Sequence, residues 1–271
     1  MATEPPKANI DVGRVISRGF EALKSNFLPF LLIAVLLLGV PGFLSQYFML
    51  SGASNALAAA ERGVDIDPYF FLTAAYWGPV AASVLAALLG YTILQVALTR
   101  STILHLSGRE ADIAGSAMLA LRLLLPVIGL TFCVTILLII GFMLLIVPGI
   151  MIWCALIVSV PALVQERAGV FGSMGRSRTL TSGSRWHIFL LVVLIWVFSM
   201  IISGATGVIS GAGMSFASVG AMPDPILSSA ASAIGSVLTG LVGTVIVAAL
   251  YVELREVKEG ASTSVLAEVF G

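Results

Sequence analysis

Between Arg122 and Glu166 the chain runs 43 residues without a charged side chain. As one helix rising 1.5 Å per residue this stretch would be about 64 Å long, roughly twice the thickness of a bilayer's hydrocarbon layer. It therefore has to fold back as two spans, about 123–146 and 149–165. The break is expected at Val147-Pro148-Gly149, because proline lacks a backbone donor and disfavours helix at the residue before it, while glycine accepts turn geometry.

Four more uncharged stretches of spanning length are present, at about 27–50, 71–99, 186–209 and 225–252. Only 10% of the residues are charged, against about 25% in soluble domains. The fold class expected is an all-α integral membrane protein, a single polytopic domain over 1–271 with six transmembrane helices arranged as three hairpins. The 14 basic and 14 acidic residues cancel, so no net field points to nucleic acid.

The placement of the charges says more than their sum. Lys and Arg number four before the first span, one (Arg62) after it, three between spans two and three, none between three and four, four between four and five, none between five and six, and two after six. Thirteen of fourteen fall on one side, which the positive-inside rule assigns to the cytoplasm, with both termini there. Glu61, Asp65 and Asp67 accompany Arg62 on the other side. The N-terminal segment interleaves its apolar positions with Arg14, Arg18, Glu21 and Lys24, a pattern unlike a cleaved signal peptide. Residues 1–8 are expected to be disordered.

Three segments read as amphipathic helices lying in the headgroup plane before spans one, three and five. In the first, over 9–26, Val12, Val15, Ile16, Phe20, Leu23 and Phe27 recur at helical spacing opposite Arg14, Ser17, Arg18, Glu21 and Lys24. In the second, Ile113, Ala117, Leu121 and Arg122 lead into span three. In the third, Val170, Phe171, Met174 and Leu180 are expected on one side, with Arg176, Arg178 and Arg185 available to lipid phosphates. Arg14, Arg18, Arg176, Arg178 and Arg185 are thus candidate contacts for anionic headgroups, although the same residues also set topology.

Small residues recur every fourth position as Ser199, Ser203, Gly207 and Gly211 in span five, and as Ser232, Ser236, Gly240, Thr244 and Ala248 in span six. Such ridges let backbones approach closely in lipid, which supplies no hydrophobic drive between helices. Packing of spans five and six on each other is the expected use, and a homo-oligomer seam the alternative. After the Gly260 break, Val265, Leu266, Val269 and Phe270 form a short apolar pattern within a cytoplasmic tail over 253–271.

Catalytic signatures are scarce. None of the six spans carries an Asp, Glu, Lys or Arg of the kind that builds proton relays or voltage sensors. His105 and His187 have no Cys, Glu or second His at ligand spacing, and neither a G-x-S-x-G elbow nor a phosphate-binding glycine loop occurs. Cys133 and Cys154 lie in apolar runs, where a thiol behaves as a small hydrophobe. No catalytic residue, metal site or cofactor is expected.

The entry GRVISRGFEALKSNFLPF, the run LLIVPGI with PALVQE, the segment SMGRSRTLTSGSRWHIF, and the ending ALYVELREVKEG with AEVF together resemble the bacterial glycerophosphoryl diester phosphodiesterase membrane-domain family and related six-span proteins. The resemblance is most specific over 144–189 and 249–270. It implies a six-helix inner-membrane fold but no phosphodiesterase activity, because in that family the hydrolytic residues sit in a separate soluble barrel that this sequence lacks. The expected role is a non-enzymatic, lipid-associated organiser at the bacterial inner membrane, with membrane lipid and an envelope protein or second copy as partners. The alternative is a carrier or permease component for a lipid-like or small neutral solute, with Pro41, Pro79 and Pro148 breaking its helices. An enzyme using His187, Arg185 and Glu166 is the remaining reading, motivated by their closeness in sequence.

Overall fold

The computed structural model describes residues 10–63, 73–109, 113–210 and 224–260. The expected disorder of 1–8, the acidic Asp65 and Asp67, Gly211 and the tail pattern Val265–Phe270 lie outside those residues. Among the described residues ten α-helices follow one another and no strand occurs: α1 (Val12–Ser25), α2 (Phe27–Ala34), α3 (Val40–Glu61), α4 (Ala74–Leu106), α5 (Ile113–Leu144), α6 (Ile146–Leu156), α7 (Ser159–Glu166), α8 (Gly169–Thr181), α9 (Arg185–Ile209) and α10 (Pro225–Glu259). Six helical stretches, Phe27–Glu61, Tyr76–Leu106, Gly115–Leu144, Ile146–Glu166, Arg185–Ile209 and Pro225–Glu259, are long and apolar enough to cross a membrane.

The chain divides into two compact units, Met1–Phe30 with Thr92–Trp196 and Val242–Gly271, and Leu31–Tyr91 with Val197–Leu241. In the first, Val96, Leu119, Ala120, Val127, Leu130, Leu163 and Val164 form a buried apolar cluster drawn from α4, α5 and α7. Val170 and Met174 of α8 pack against it. The opposite face of α5 presents Leu125, Phe132 and Ile139, one every seven residues, to the outside. That is the stripe expected of a helix facing lipid.

The break in the long uncharged stretch falls at Leu145, two residues before the expected site. Leu145 is extended, with φ −167° and ψ 156°. Pro148 sits within the first turn of α6, where a missing N–H costs no intrahelical bond. Gly149 serves close packing: a Cβ there would run into the Phe142 ring, and one on Gly141 would lie 3.0 Å from Gly149 Cα. Met143 through Val147, which join α5 to α6, are all exposed, Met143 at 87%. The expected fourth span is itself interrupted at Ile157–Val158, between α6 and α7.

The segment before span three is no separate helix. Ala117 to Leu121 are strong helix formers and α5 runs unbroken through Arg122 and Pro126. In α8, Phe171 is 79% exposed, and Ser173, Ser177 and Thr181 are buried alongside Leu180 of the expected apolar set. The cause lies in α6, which ends at Leu156 and leaves its last carbonyls without helical partners. Ser177 Oγ and Thr181 Oγ1 donate to one of them, Ala155 O, at 2.8 and 3.3 Å.

In the second unit the helix widens to π geometry over Val35–Gly39, with Val40 N–H bonding Val35 O. Pro41 explains it: the N–H that would bond Leu37 O four residues back is absent. The freed Leu37 carbonyl is directed at Gly90 of α4, where any Cβ would overlap the oxygen. Gly90→Ala is therefore expected to destabilise the protein by about 3 kcal/mol. Gly175→Ala, in α8 with nothing within 4 Å, should be neutral or stabilise by about 0.5–1 kcal/mol. Thermal unfolding of both variants in one detergent checks the contrast.

Candidate functional site

Carboxylates at Glu253, Glu256 and Glu259 recur every three residues along the last turns of α10. The negative end of the helix dipole opposes them there, so they require cations from elsewhere. Two helices supply them. From α1, Arg18 Nη1 donates to Glu253 Oε2 at 3.0 Å and to Glu256 Oε2 at 2.7 Å, and Arg14 Nη1 lies 3.2 Å from Glu253 Oε1. The approach depends on Gly19, whose missing Cβ lets Ile246 of α10 come close.

From α8, Arg176 Nε donates to Glu166 Oε1 at 2.7 Å and Nη2 pairs with Glu259 Oε1. Burial works against its charge, but the hydrogen bonds and charges of Glu166 and Glu259 outweigh it and hold the guanidinium above its ordinary pKa. Glu166 also accepts from the hydroxyl of the fully buried Tyr251 at 2.8 Å, and Arg255 closes the set on Glu259 Oε2 at 3.1 Å. Glu166 sits where α7 ends, beside Arg167 in the left-handed conformation at φ 51°. The result is one charged assembly joining α1, α7, α8 and α10.

The five arginines expected at headgroups thus fall into two groups. Arg18 and Arg176 are held by two carboxylates each, and Arg14 lies between Asp11 and Glu253. Arg178 and Arg185 instead line a cavity of about 640 Å³ together with Lys258, Ser182 and the Arg176–Glu259 pair. Among the described residues no carboxylate pairs with Arg178, Arg185 or Lys258. Of the groups in the enzyme reading, Glu166 is occupied by Arg176 and Tyr251, and His187 does not line the cavity. His105 is hydrogen-bonded to Ser25 Oγ at 3.0 Å.

Residues of the two small-residue ridges have several surroundings. In the second unit Ser203, Gly207, Ser232 and Ser236 line a cavity of about 370 Å³ between α9 and α10. Gly235, off the ridge, is where α10 meets Thr206 of α9, at 3.4 Å from its Cβ position. Gly240 instead receives Leu38, and Ser236 Oγ lies 3.7 Å from the Cβ position of Gly42. Thr244 is buried in the first unit, and Ser199 lies on α9 half-buried.

Sequence reasoning missed Glu253, Glu256, Glu259, Lys258 and Tyr251 as site residues. The three-residue repeat of glutamates beside a run of arginine-bearing segments was the available signal.

Glu253 has a side chain 1% exposed, whereas that of Glu256 is 20% exposed. Losing the cation strands the buried Glu253 carboxylate at about 3–5 kcal/mol, whereas Glu253→Gln leaves only Arg18 and Arg14, whose side chains are 29% and 52% exposed. Arg18→Gln should therefore lower the melting temperature far more than Glu253→Gln in the same nanodisc preparation.

A family model described as a domain of unknown function, DUF7847, matches residues 10–254. No curated protein matches the chain. No solved structure matches it either.

Proposed function

For a chain that belongs to the DUF7847 family, we propose a non-enzymatic role at the bacterial inner membrane, holding anionic lipid headgroups at the cytoplasmic face of a six-span protein with both termini inside. The observation that carries the reading is the cavity at Arg178, Arg185 and Lys258, where three cations converge without a carboxylate partner among the described residues. Thirteen of fourteen basic residues lie on the segments assigned to that face, where the surface potential of anionic lipid favours them by about 1 kcal/mol each.

The form of α1 supports the same placement. Its buried face is Val15, Gly19 and Ala22, while Phe20 and, just beyond its end, Phe27 are exposed. Aromatic rings on the outer side of a helix that also carries arginines suit the headgroup boundary. The reversal at Leu145, with its exposed apolar residues, suits a hairpin whose tip stays in lipid.

A second reading, a carrier for a small neutral solute, is favoured by the hydroxyl-lined cavity between α9 and α10. It ranks lower because Thr206, Ser210, Ser236 and Thr239 each donate to carbonyls of their own helix, at 2.8–3.3 Å. Hydroxyls engaged in this way present acceptors but few donors to a solute.

Native mass spectrometry from mixed-lipid nanodiscs should find phosphatidylglycerol enriched over phosphatidylcholine on the protein, and Arg178→Gln with Arg185→Gln should remove most of that enrichment. Equal retention of the two lipids by the unaltered protein refutes the role. Topology is checked in a cysteine-free background: Arg62→Cys should react with an impermeant maleimide in intact cells, and Ser182→Cys only after lysis.

A further inference from the structure

We infer that the cavity at the start of α9 recognises a phosphomonoester or diphosphate group, in preference to the singly charged phosphodiester of ordinary anionic phospholipids. The inference rests on the proposal that this cavity faces anionic ligands, and it narrows their chemistry.

Two of the three cations without a carboxylate partner among the described residues sit where a helix favours them. Arg178 lies in the last turn of α8 and Lys258 in the last turn of α10, where the helix dipole favours positive charge. Arg185 sits at the opposite kind of terminus. It opens α9, a helix of 25 residues, so its guanidinium is added to the positive end of the dipole. The first ladder bond there is Ile188 N–H to Ser184 O at 3.1 Å, which leaves the N–H groups of Arg185, Trp186 and His187 outside the ladder. A guanidinium beside such a terminus is unfavourable unless an anion offsets both.

The surrounding geometry concentrates the charge further. Gly183, at φ +82°, turns the chain between α8 and α9, and Lys258 Nζ lies 3.7 Å from where a side chain on Gly183 would begin. Ser182 is exposed at the rim and offers a hydroxyl. The Arg176–Glu259 pair forms one wall and is internally neutral. Among the described residues the one carboxylate lining the cavity is therefore already compensated, and three positive charges remain.

Charge matching then separates the ligand classes. A phosphodiester carries one negative charge, whereas a phosphomonoester carries about 1.5 to 2 near neutral pH and presents three acceptor oxygens. Three cations and a helix terminus exceed what a diester can neutralise but suit a terminal phosphate or a diphosphate. A volume of about 640 Å³ also leaves room for more than one phosphate. The group can be carried on a lipid or be free in the cytoplasm.

The test uses the full chain in phosphatidylcholine nanodiscs. Retention of phosphatidic acid is compared with that of phosphatidylglycerol at matched surface charge, and inorganic pyrophosphate is titrated separately, read by Trp186 fluorescence. Preferential binding of phosphatidic acid by about tenfold supports a lipid-borne ligand. Pyrophosphate binding without that preference supports a free one.

In either case Arg185→Gln should weaken binding at least tenfold, while Arg185→Lys, which keeps the charge, should retain part of it. Unchanged melting of both variants separates loss of binding from loss of fold. Equal retention of phosphatidic acid and phosphatidylglycerol, with no pyrophosphate response, overturns this inference but leaves the anionic-lipid role standing. Retention of neither overturns both.

Discussion

Glu253 is the charge on which the first unit depends. It is buried to 1% on α10 and is held by Arg18 and Arg14 of α1. A carboxylate in such a place is stable only while its partners stay, because an uncompensated buried ion costs several kcal/mol. The pairing therefore dictates that α1 lies against α10 in one register, with Gly19 at the crossing. A second clasp, Arg176 between Glu166 and Glu259, does the same for α7 and α8. Tyr251, donating to Glu166 from within the core, links α7 to the turn of α10 that carries Glu253.

Two helix breaks leave carbonyls that neighbouring helices meet. Pro41 frees Leu37 O, against which Gly90 of α4 packs with no Cβ between them. The end of α6 frees Ala155 O, which accepts from Ser177 and Thr181. In lipid an unsatisfied carbonyl costs several kcal/mol, and at Ala155 the two hydroxyls offset it. Serine and threonine on α8 are consequences of where α6 ends.

Much of the helical plan was legible because it rests on length and charge, which a sequence displays directly. The uncharged run from 123 to 165 is too long for one span, and the helix breaks within two residues of the expected point. The error at Leu145 arose because Pro148 has two compatible readings, a breaker or a first-turn residue, and only packing of Gly141 on Gly149 decides between them. The continuity of α5 through Arg122 was hidden for the same reason at Pro126. The burial of Ser177 and Thr181 on α8 went unforeseen because periodicity ranks them as polar, whereas an orphan carbonyl in the core makes a hydroxyl the better fit. At the candidate site, Arg178 and Arg185 were legible as basic residues. That Arg18 and Arg176 are occupied depends on Glu166, 10 residues from Arg176, and on glutamates of α10 that are 83 to 238 residues away in sequence, which spacing alone does not reveal.

The charged clasp also sets an order of events. The arginines of α1 emerge from the ribosome first, and the glutamates that bind them belong to the last helix of the described chain. Throughout synthesis of the intervening helices those arginines have no carboxylate from α10. Only when α10 arrives are they neutralised and drawn into the fold. The lock on the first helix is thus carried by the last, and a chain halted before Glu253 would leave α1 undocked.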